Sequence, residues 1–136
     1  MLNPALLKDA ERIARVTMIV ILLTAGTSKL FSGGGFFDYY SELFRGDLRI
    51  NVAPWLVDAY LTIIPFIEIS LGLALVSTRH KWLSVHAWTA FMLSLTVGHY
   101  ILQEWSAVNQ MLAYLFLGML CLVLPHHESW LRRDPE

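Results

Sequence analysis

Apolar residues along this chain fall into four long runs separated by short polar stretches. The runs cover about residues 14–31, 53–77, 82–102 and 107–124. Each is close to the roughly 20 apolar residues that a transmembrane helix needs. The first run is not a secretory signal, because three further runs follow it and no A-x-A cleavage pattern stands at its end. The pattern predicts an all-α, integral membrane four-helix bundle that forms one transmembrane domain over residues 1–136.

The longest connection lies between the first two runs and contains an amphipathic segment. Three consecutive glycines, residues 33–35, break the first helix, and FFDYYSELFRG follows them. At helical spacing the aromatic and leucine side chains of this segment share one face, and its charged side chains share the other. We therefore expect a short amphipathic helix in the first extracytoplasmic loop, lying in the interface or covering the bundle.

Basic residues are distributed unevenly between the two sets of loops. One side would carry seven of them: Lys8, Arg12, Arg15, Arg79, Lys81, Arg132 and Arg133. The other side would carry three: Lys29, Arg45 and Arg49. By the positive-inside rule, an even number of spans with this bias predicts that both termini are cytoplasmic.

The composition excludes several classes of protein. Hydrophobic residues make up 56% of the chain and charged residues 15%, whereas a soluble domain has about 25% charged residues. The formal net charge is −1, so there is no basic footprint for nucleic acid. Cys121 is the single cysteine, which excludes a disulfide scaffold. The bilayer is therefore the first predicted partner.

Glu68 is the clearest ionisable residue inside a predicted span, and such residues are functional candidates. At 100° per residue it shares a stripe with Pro65 and Gly72, so it is expected to face the bundle interior, either protonated or ion-paired. Lys29 is a natural partner, but it lies nearer the outer surface and could instead extend to the interface. Asp58 lies closer to the depth of Lys29 and is the easier partner by position, or it is a carboxylate at headgroup level.

The outer half of the bundle gathers further polar residues. The predicted polar pocket consists of Lys29, Asp58, His99, Tyr100, Asn109 and Gln110, with Glu68 beneath them. Small or helix-weakening residues predict where helices approach one another: Gly26, Pro65, Gly72, Ala90, Ser94 and Gly98. No metal site is predicted, because His86 and His99 lie at opposite ends of one span and no Cys or His metal motif occurs.

Three features of the chain form a recognisable pattern. They are Arg15 followed by AGTSKL, the aromatic loop after it, and Glu68, then Gly72, then an apolar run that ends in a basic turn. In these features the chain resembles the DoxX-like family of small bacterial and archaeal membrane proteins. The resemblance implies a four-helix bundle in a prokaryotic cytoplasmic membrane. Some members are similar to a subunit of thiosulfate:quinone oxidoreductase or of a terminal quinol oxidase.

Two functions remain open from the sequence. The first is an accessory subunit of a respiratory or quinone-linked redox complex, in which the polar residues line a quinone pocket and this chain alone binds no cofactor. The second is a stand-alone transporter or lipid-binding protein that forms homo-oligomers. A purely structural role for Glu68 and Lys29 is also open. Catalysis by this chain alone is not indicated, because no nucleophile–base pair is recognisable.

Overall fold

The computed structural model describes residues 3–77 and 80–125, and five helices account for most of them. They are α1 (Pro4–Phe31), α2 (Gly35–Phe44), α3 (Pro54–Val76), α4 (Lys81–Ile101) and α5 (Trp105–Val123). The predicted all-α class is confirmed. The basic residues Arg79, Arg132 and Arg133, which entered the orientation argument, lie outside the described residues.

Local sequence signals explain where the helices begin and end. The side chain of Asn3 accepts a hydrogen bond from the backbone N–H of Ala5 at 3.0 Å, and Pro4 occupies the first helical position, as helix starts favour. Gly33 and Gly34 have φ values of 62° and 92°, a left-handed backbone that glycine adopts readily. This turn ends α1 and starts α2 in the first loop.

The four long helices run antiparallel to their neighbours. Tyr60 lies beside Ser94 while Ser84 lies beside Ala74, so α3 and α4 run in opposite directions. α1 packs most extensively on α3, α4 packs on α5, and the α1–α5 contact closes the ring. Residues 11, 81 and 124 therefore lie at one end, termed the Glu11 end, and α2 lies at the other, termed the α2 end.

Two glycines allow α1 and α3 to approach closely. A Cβ atom at Gly26 would lie 2.8 Å from Cγ1 of Ile69 and 2.9 Å from the backbone oxygen of Pro65. A Cβ atom at Gly72 would lie 2.8 Å from Cδ2 of Leu23. Each glycine therefore fits against the facing helix, in the manner of small residues at membrane helix contacts.

The α4–α5 contact is built on Trp88 rather than on the predicted small-residue stripe. Trp88 is fully buried, its Nε1 donates to the backbone oxygen of Tyr114 at 3.2 Å, and its ring lies against Gly118. Ala90 is exposed, whereas Ser94 and Gly98 are partly buried. The expectation that Ala90 packs against another helix is therefore corrected for this chain, because the buried face of α4 is centred on large side chains.

The Glu11 end holds a buried ionic cluster that the sequence did not reveal. Glu11 and Arg15 are bonded to each other on α1, and Nζ of Lys81 lies 3.2 Å from Oε1 of Glu11. Lys81 also donates to the backbone oxygen of Leu124 at 3.1 Å. Arg15 and Lys81 are two of the basic residues counted in the orientation argument. Both are buried, and Lys81 links α4 to α1 and to the end of α5.

Three of the described helices are long and apolar enough to cross a membrane: α1, α3 and α5. The sequence predicted four spans, with α4 as the third. α4 does not meet the same criterion of length and composition, and polar residues such as Ser84, His86 and His99 stand within it. The helices indicate an integral membrane protein.

Candidate ligand cavity

A cavity of about 240 Å³ lies between the four long helices at the α2 end, and α2 lies over it. Most of its wall is apolar. Seven lining residues carry polar groups: Lys29, Tyr40, Tyr60, Glu68, His99, Gln110 and Tyr114. α2 contributes Phe36, Tyr40 and Phe44, which belong to the predicted apolar face of the amphipathic segment. The cavity thus combines an apolar wall with a few convergent polar groups, as small-molecule sites do.

Lys29 and Glu68 form an ion pair at the cavity wall. Nζ of Lys29 lies 2.5 Å from Oε1 of Glu68, and the two side chains are 19% and 4% exposed. Nζ also lies 5.0 Å from the centre of the Phe36 ring, within the range of a cation–π contact. Depth along the helices had favoured Asp58 as the partner of Lys29. The long lysine side chain instead reaches to Glu68, because Gly26 brings the two helices together.

Asp58 has a different role from the one expected. It accepts hydrogen bonds from the Arg45 guanidinium, at 3.0 and 3.3 Å, and from the Ser41 hydroxyl at 3.2 Å. Asp58 is not among the residues that line the cavity. It ties the end of α2 to the start of α3, and so holds the aromatic face of α2 over the cavity.

His99 lines the cavity and is oriented by Glu104. Nδ1 of His99 is hydrogen-bonded to Oε2 of Glu104 at 2.7 Å. The carboxylate oxygen accepts this bond, so Nδ1 donates it. Tyr40 contacts the same imidazole edge-on, with ring centres 5.9 Å apart. Burial raises the pKa of the Tyr40 phenol above its ordinary value, and Glu104 and Tyr39 raise that pKa further. Tyr40 therefore contributes a neutral hydroxyl group.

The other predicted pocket residues divide into two groups. Gln110 lines the cavity and donates from Nε2 to the Tyr114 hydroxyl at 3.0 Å. Tyr100 and Asn109 are exposed and do not line the cavity. The Tyr100 ring packs instead against Trp105. Of the seven predicted pocket residues, the structure brings together Lys29, Glu68, His99 and Gln110.

Sequence reasoning missed four polar residues at or beside the cavity. Tyr40, Tyr60 and Tyr114 line it, and Glu104 holds His99. Tyr60 is hydrogen-bonded to Ser94 at 2.6 Å across the α3–α4 contact. One signal was available: Tyr114 follows Gln110 by four residues, a spacing that places both on one helix face.

The cavity offers hydrogen bonds and charge rather than metal ligands. Within residues 3–77 and 80–125, no three His, Cys, Asp or Glu side chains come together as a metal site would require. An ammonium–carboxylate pair, an oriented imidazole and three phenols can bind the polar part of a small ligand, and the apolar wall can hold its ring. The fold and the cavity define an α-helical integral membrane protein with a mainly apolar cavity at one end, in which a few polar groups converge.

A family model described as methylamine utilisation protein MauE matches residues 7–113. The match covers most of the chain, and the protein belongs to the MauE family. The resemblance to the DoxX-like family was therefore wrong. It rested on short features, namely Arg15, AGTSKL and the Glu68–Gly72 spacing. No curated protein and no solved structure matches the chain.

Proposed function

We propose that this protein is an accessory membrane component of a methylamine-utilisation or similar redox system, and that its cavity binds the head of a quinone-type molecule. The family supports the first part. One observation carries the second: the Lys29–Glu68 pair, His99 and Gln110 line a single, mainly apolar cavity. Such a cavity suits a ring with polar substituents better than it suits a freely soluble ion.

The size of the cavity fits a headgroup rather than a whole lipid. Its volume of about 240 Å³ lies below the roughly 300–1,000 Å³ of drug-sized pockets. A quinone ring would occupy it while the isoprenoid tail remained among lipid chains. Large exposed apolar residues on the long helices, such as Phe66, Leu93 and Phe116, provide the surface against which lipid chains lie.

The same proposal includes four membrane crossings with both termini cytoplasmic. α4 lies antiparallel between α3 and α5 and has 21 residues, or about 31 Å of helix. A helix of that length, packed along two membrane-spanning neighbours, traverses the same thickness as they do. The α2 end then faces the extracytoplasmic side of a prokaryotic cytoplasmic membrane, and Lys8 and Arg12 lie on the cytoplasmic side.

The test is purification of the natively expressed chain in mild detergent. Proteins that co-purify are identified by mass spectrometry, and quinones are extracted from the same sample. We expect redox proteins to co-purify, and quinone to be retained by the wild type and by Glu42→Gln, in which an exposed carboxylate outside the cavity is neutralised. Glu68→Gln should lose most of the quinone while keeping the partners.

A different result would identify the second function. Recovery as one homo-oligomer without redox proteins or quinone would refute the proposal and favour a stand-alone transporter or lipid-binding protein. Retention of quinone by Glu68→Gln at the wild-type level would reject the role of this cavity while leaving the accessory role in place.

A further inference from the structure

Two residues that line the cavity each carry a side-chain atom without a hydrogen-bond partner among the described residues. Glu68 is 3% exposed, and its Oε2 atom is buried without a hydrogen bond. Nδ1 of His99 is taken by Glu104, and no hydrogen bond joins Nε2 to any residue in the described part of the chain. A buried carboxylate oxygen without a donor is costly, so a ligand that supplies a donor there is favoured.

The strongest donors of the cavity already have one acceptor each. Lys29 donates to Oε1 of Glu68 and lies against the Phe36 ring. The amide of Gln110 donates to Tyr114. The Ser94 hydroxyl donates to the backbone oxygen of Phe91 at 2.7 Å, so the Tyr60 hydroxyl donates to Ser94. The remaining phenol hydroxyls can donate or accept and do not discriminate between ligands.

The loop between α4 and α5 fixes which nitrogen of His99 is left for a ligand. The backbone N–H of Glu104 donates to the backbone oxygen of His99 at 2.9 Å, and Gln103 adopts a left-handed φ of 58° between them. Glu104 occupies the N-cap of α5, yet its side chain does not cap that helix. It bonds Nδ1 instead, and this selects the tautomer in which Nε2 is an acceptor.

We propose that the cavity selects a ligand with two hydroxyl donors, the hydroquinone form rather than the quinone, and that Glu104 is the positioning residue that makes Nε2 of His99 an acceptor. One hydroxyl donates to Oε2 of Glu68 on α3, and the other donates to Nε2 of His99 on α4. The inference rests on the proposed function, because it assigns the redox form of the same ligand. A quinone carbonyl cannot donate and leaves both acceptors empty.

Binding to the purified protein tests the inference. Decylubiquinol and decylubiquinone are titrated separately, without oxygen, and the dimethyl ether of the quinol serves as a ring that cannot donate. We expect the quinol to bind about tenfold more tightly than the other two, as one or two net hydrogen bonds provide. Glu68→Gln should abolish this preference by lowering the affinity for the quinol to that for the quinone, because its amide presents a donor where Oε2 accepts. Glu42→Gln should leave it unchanged.

Variants of Glu104 separate positioning from folding. Glu104→Ala should lower quinol affinity about fivefold and leave quinone affinity unchanged. Glu104→Gln should restore most of the affinity, because the amide oxygen still accepts from Nδ1. Imidazole ¹⁵N shifts should report a bare Nε2 in the wild type and in Glu104→Gln, and a mixture of tautomers in Glu104→Ala.

The outcomes are distinguishable from failure of the proposed function. If no ubiquinone derivative binds, the proposed function fails and the inference fails with it. If the quinone binds as tightly as the quinol, the redox preference is wrong while the quinone site stands. An Nε2 shift that is unchanged in Glu104→Ala would refute the positioning role of Glu104.

Discussion

Lys29 on α1 and Glu68 on α3 are 39 residues apart in sequence and form an ion pair of 2.5 Å at the wall of the cavity. The pair exists because Gly26 and Pro65 lie in contact one turn away, which lets the lysine side chain reach across. The contact that joins α1 to α3 therefore also creates the charged surface of the candidate site. Changes to either residue should affect both stability and binding.

Neutralising Glu68 should destabilise the protein more than neutralising a surface carboxylate. In Glu68→Gln the Lys29 ammonium loses its counter-charge while it stays largely buried. We expect the free energy of unfolding to fall by about 1–3 kcal/mol. Unfolding in detergent, followed by circular dichroism, measures the change. Glu42→Gln is the control and should alter stability by less than about 0.5 kcal/mol.

The double variant Lys29→Met with Glu68→Leu tests whether the uncompensated charge of Lys29 causes the loss of stability. Replacing both members of a buried ion pair by apolar residues is often neutral, so this variant should recover most of the lost stability. If it is less stable than Glu68→Gln alone, the loss does not come from an uncompensated charge.

The positions of the helices could be predicted because apolar runs and helix-start residues are local signals. The run at residues 53–77 became α3, Pro54–Val76, with little change at its ends. Apart from the Lys29–Glu68 pair, which was one of the alternatives, the partners of the charged residues could not be predicted, because they depend on how helices pack. Asp58 bonds Arg45, and Lys81 bonds Glu11, contacts between elements that no spacing along one helix encodes.

Burial along α4 likewise depends on contacts between helices that the sequence does not reveal. Small residues every four positions suggested that Ala90 faces another helix, but such spacing marks a face without saying what it meets. Trp88 fills the α4–α5 contact because Gly118 on the facing helix leaves room for its ring. That pairing involves two helices and is not visible in the sequence of either one. His99 likewise needed the loop residue Glu104, which lies outside every apolar run.

Alanine substitutions at three glycines should lower the free energy of unfolding by different amounts, according to the atoms that the new methyl group contacts. Gly26→Ala should cost about 1–3 kcal/mol, because the methyl group would clash with the backbone oxygen of Pro65, which cannot rotate away. Gly72→Ala should cost less, since its nearest neighbour is the flexible Leu23 side chain. Gly35→Ala is the control: nothing lies within 4 Å. Thermal unfolding gives the order, and equal losses at all three positions would contradict it.

The ionic cluster at the Glu11 end should be a major source of stability. Glu11→Gln leaves the buried Arg15 and Lys81 without their shared carboxylate. Breaking such a cluster at one member costs about 3–5 kcal/mol, so this variant should unfold at a clearly lower temperature than the wild type. Asp9→Asn neutralises an exposed acid on the same helix and is the control. Similar unfolding temperatures for the two variants would show that the cluster contributes little.

The Tyr60–Ser94 hydrogen bond should couple α3 to α4. Tyr60→Phe and Ser94→Ala each remove the same 2.6 Å bond and should each cost about 0.5–1.5 kcal/mol. The double variant should cost less than the two single changes together, because the bond can be lost only once. Strict additivity in a double-mutant cycle would show that the two hydroxyls do not interact in the membrane.

Accessibility of single cysteines decides between three and four membrane crossings. In a Cys121→Ala background, cysteine is placed at Asp9, Asp47, His80 or Ser106, all exposed positions near helix ends. An impermeant maleimide is added to intact cells and to lysed cells. With four crossings and cytoplasmic termini, the cysteines at positions 47 and 106 should react in intact cells, and those at 9 and 80 only after lysis.

Positions 80 and 106 distinguish three crossings from four, because they flank α4. If α4 did not cross the membrane, cysteines at both positions would react from the same side, and α5 would then end on the opposite side from the N-terminus. The same labelling at both positions, whether in intact cells or only after lysis, would therefore reject the four-crossing arrangement. Opposite labelling, with position 106 outside, would place His99 and Glu104 on the extracytoplasmic side and make the cavity accessible to redox partners there.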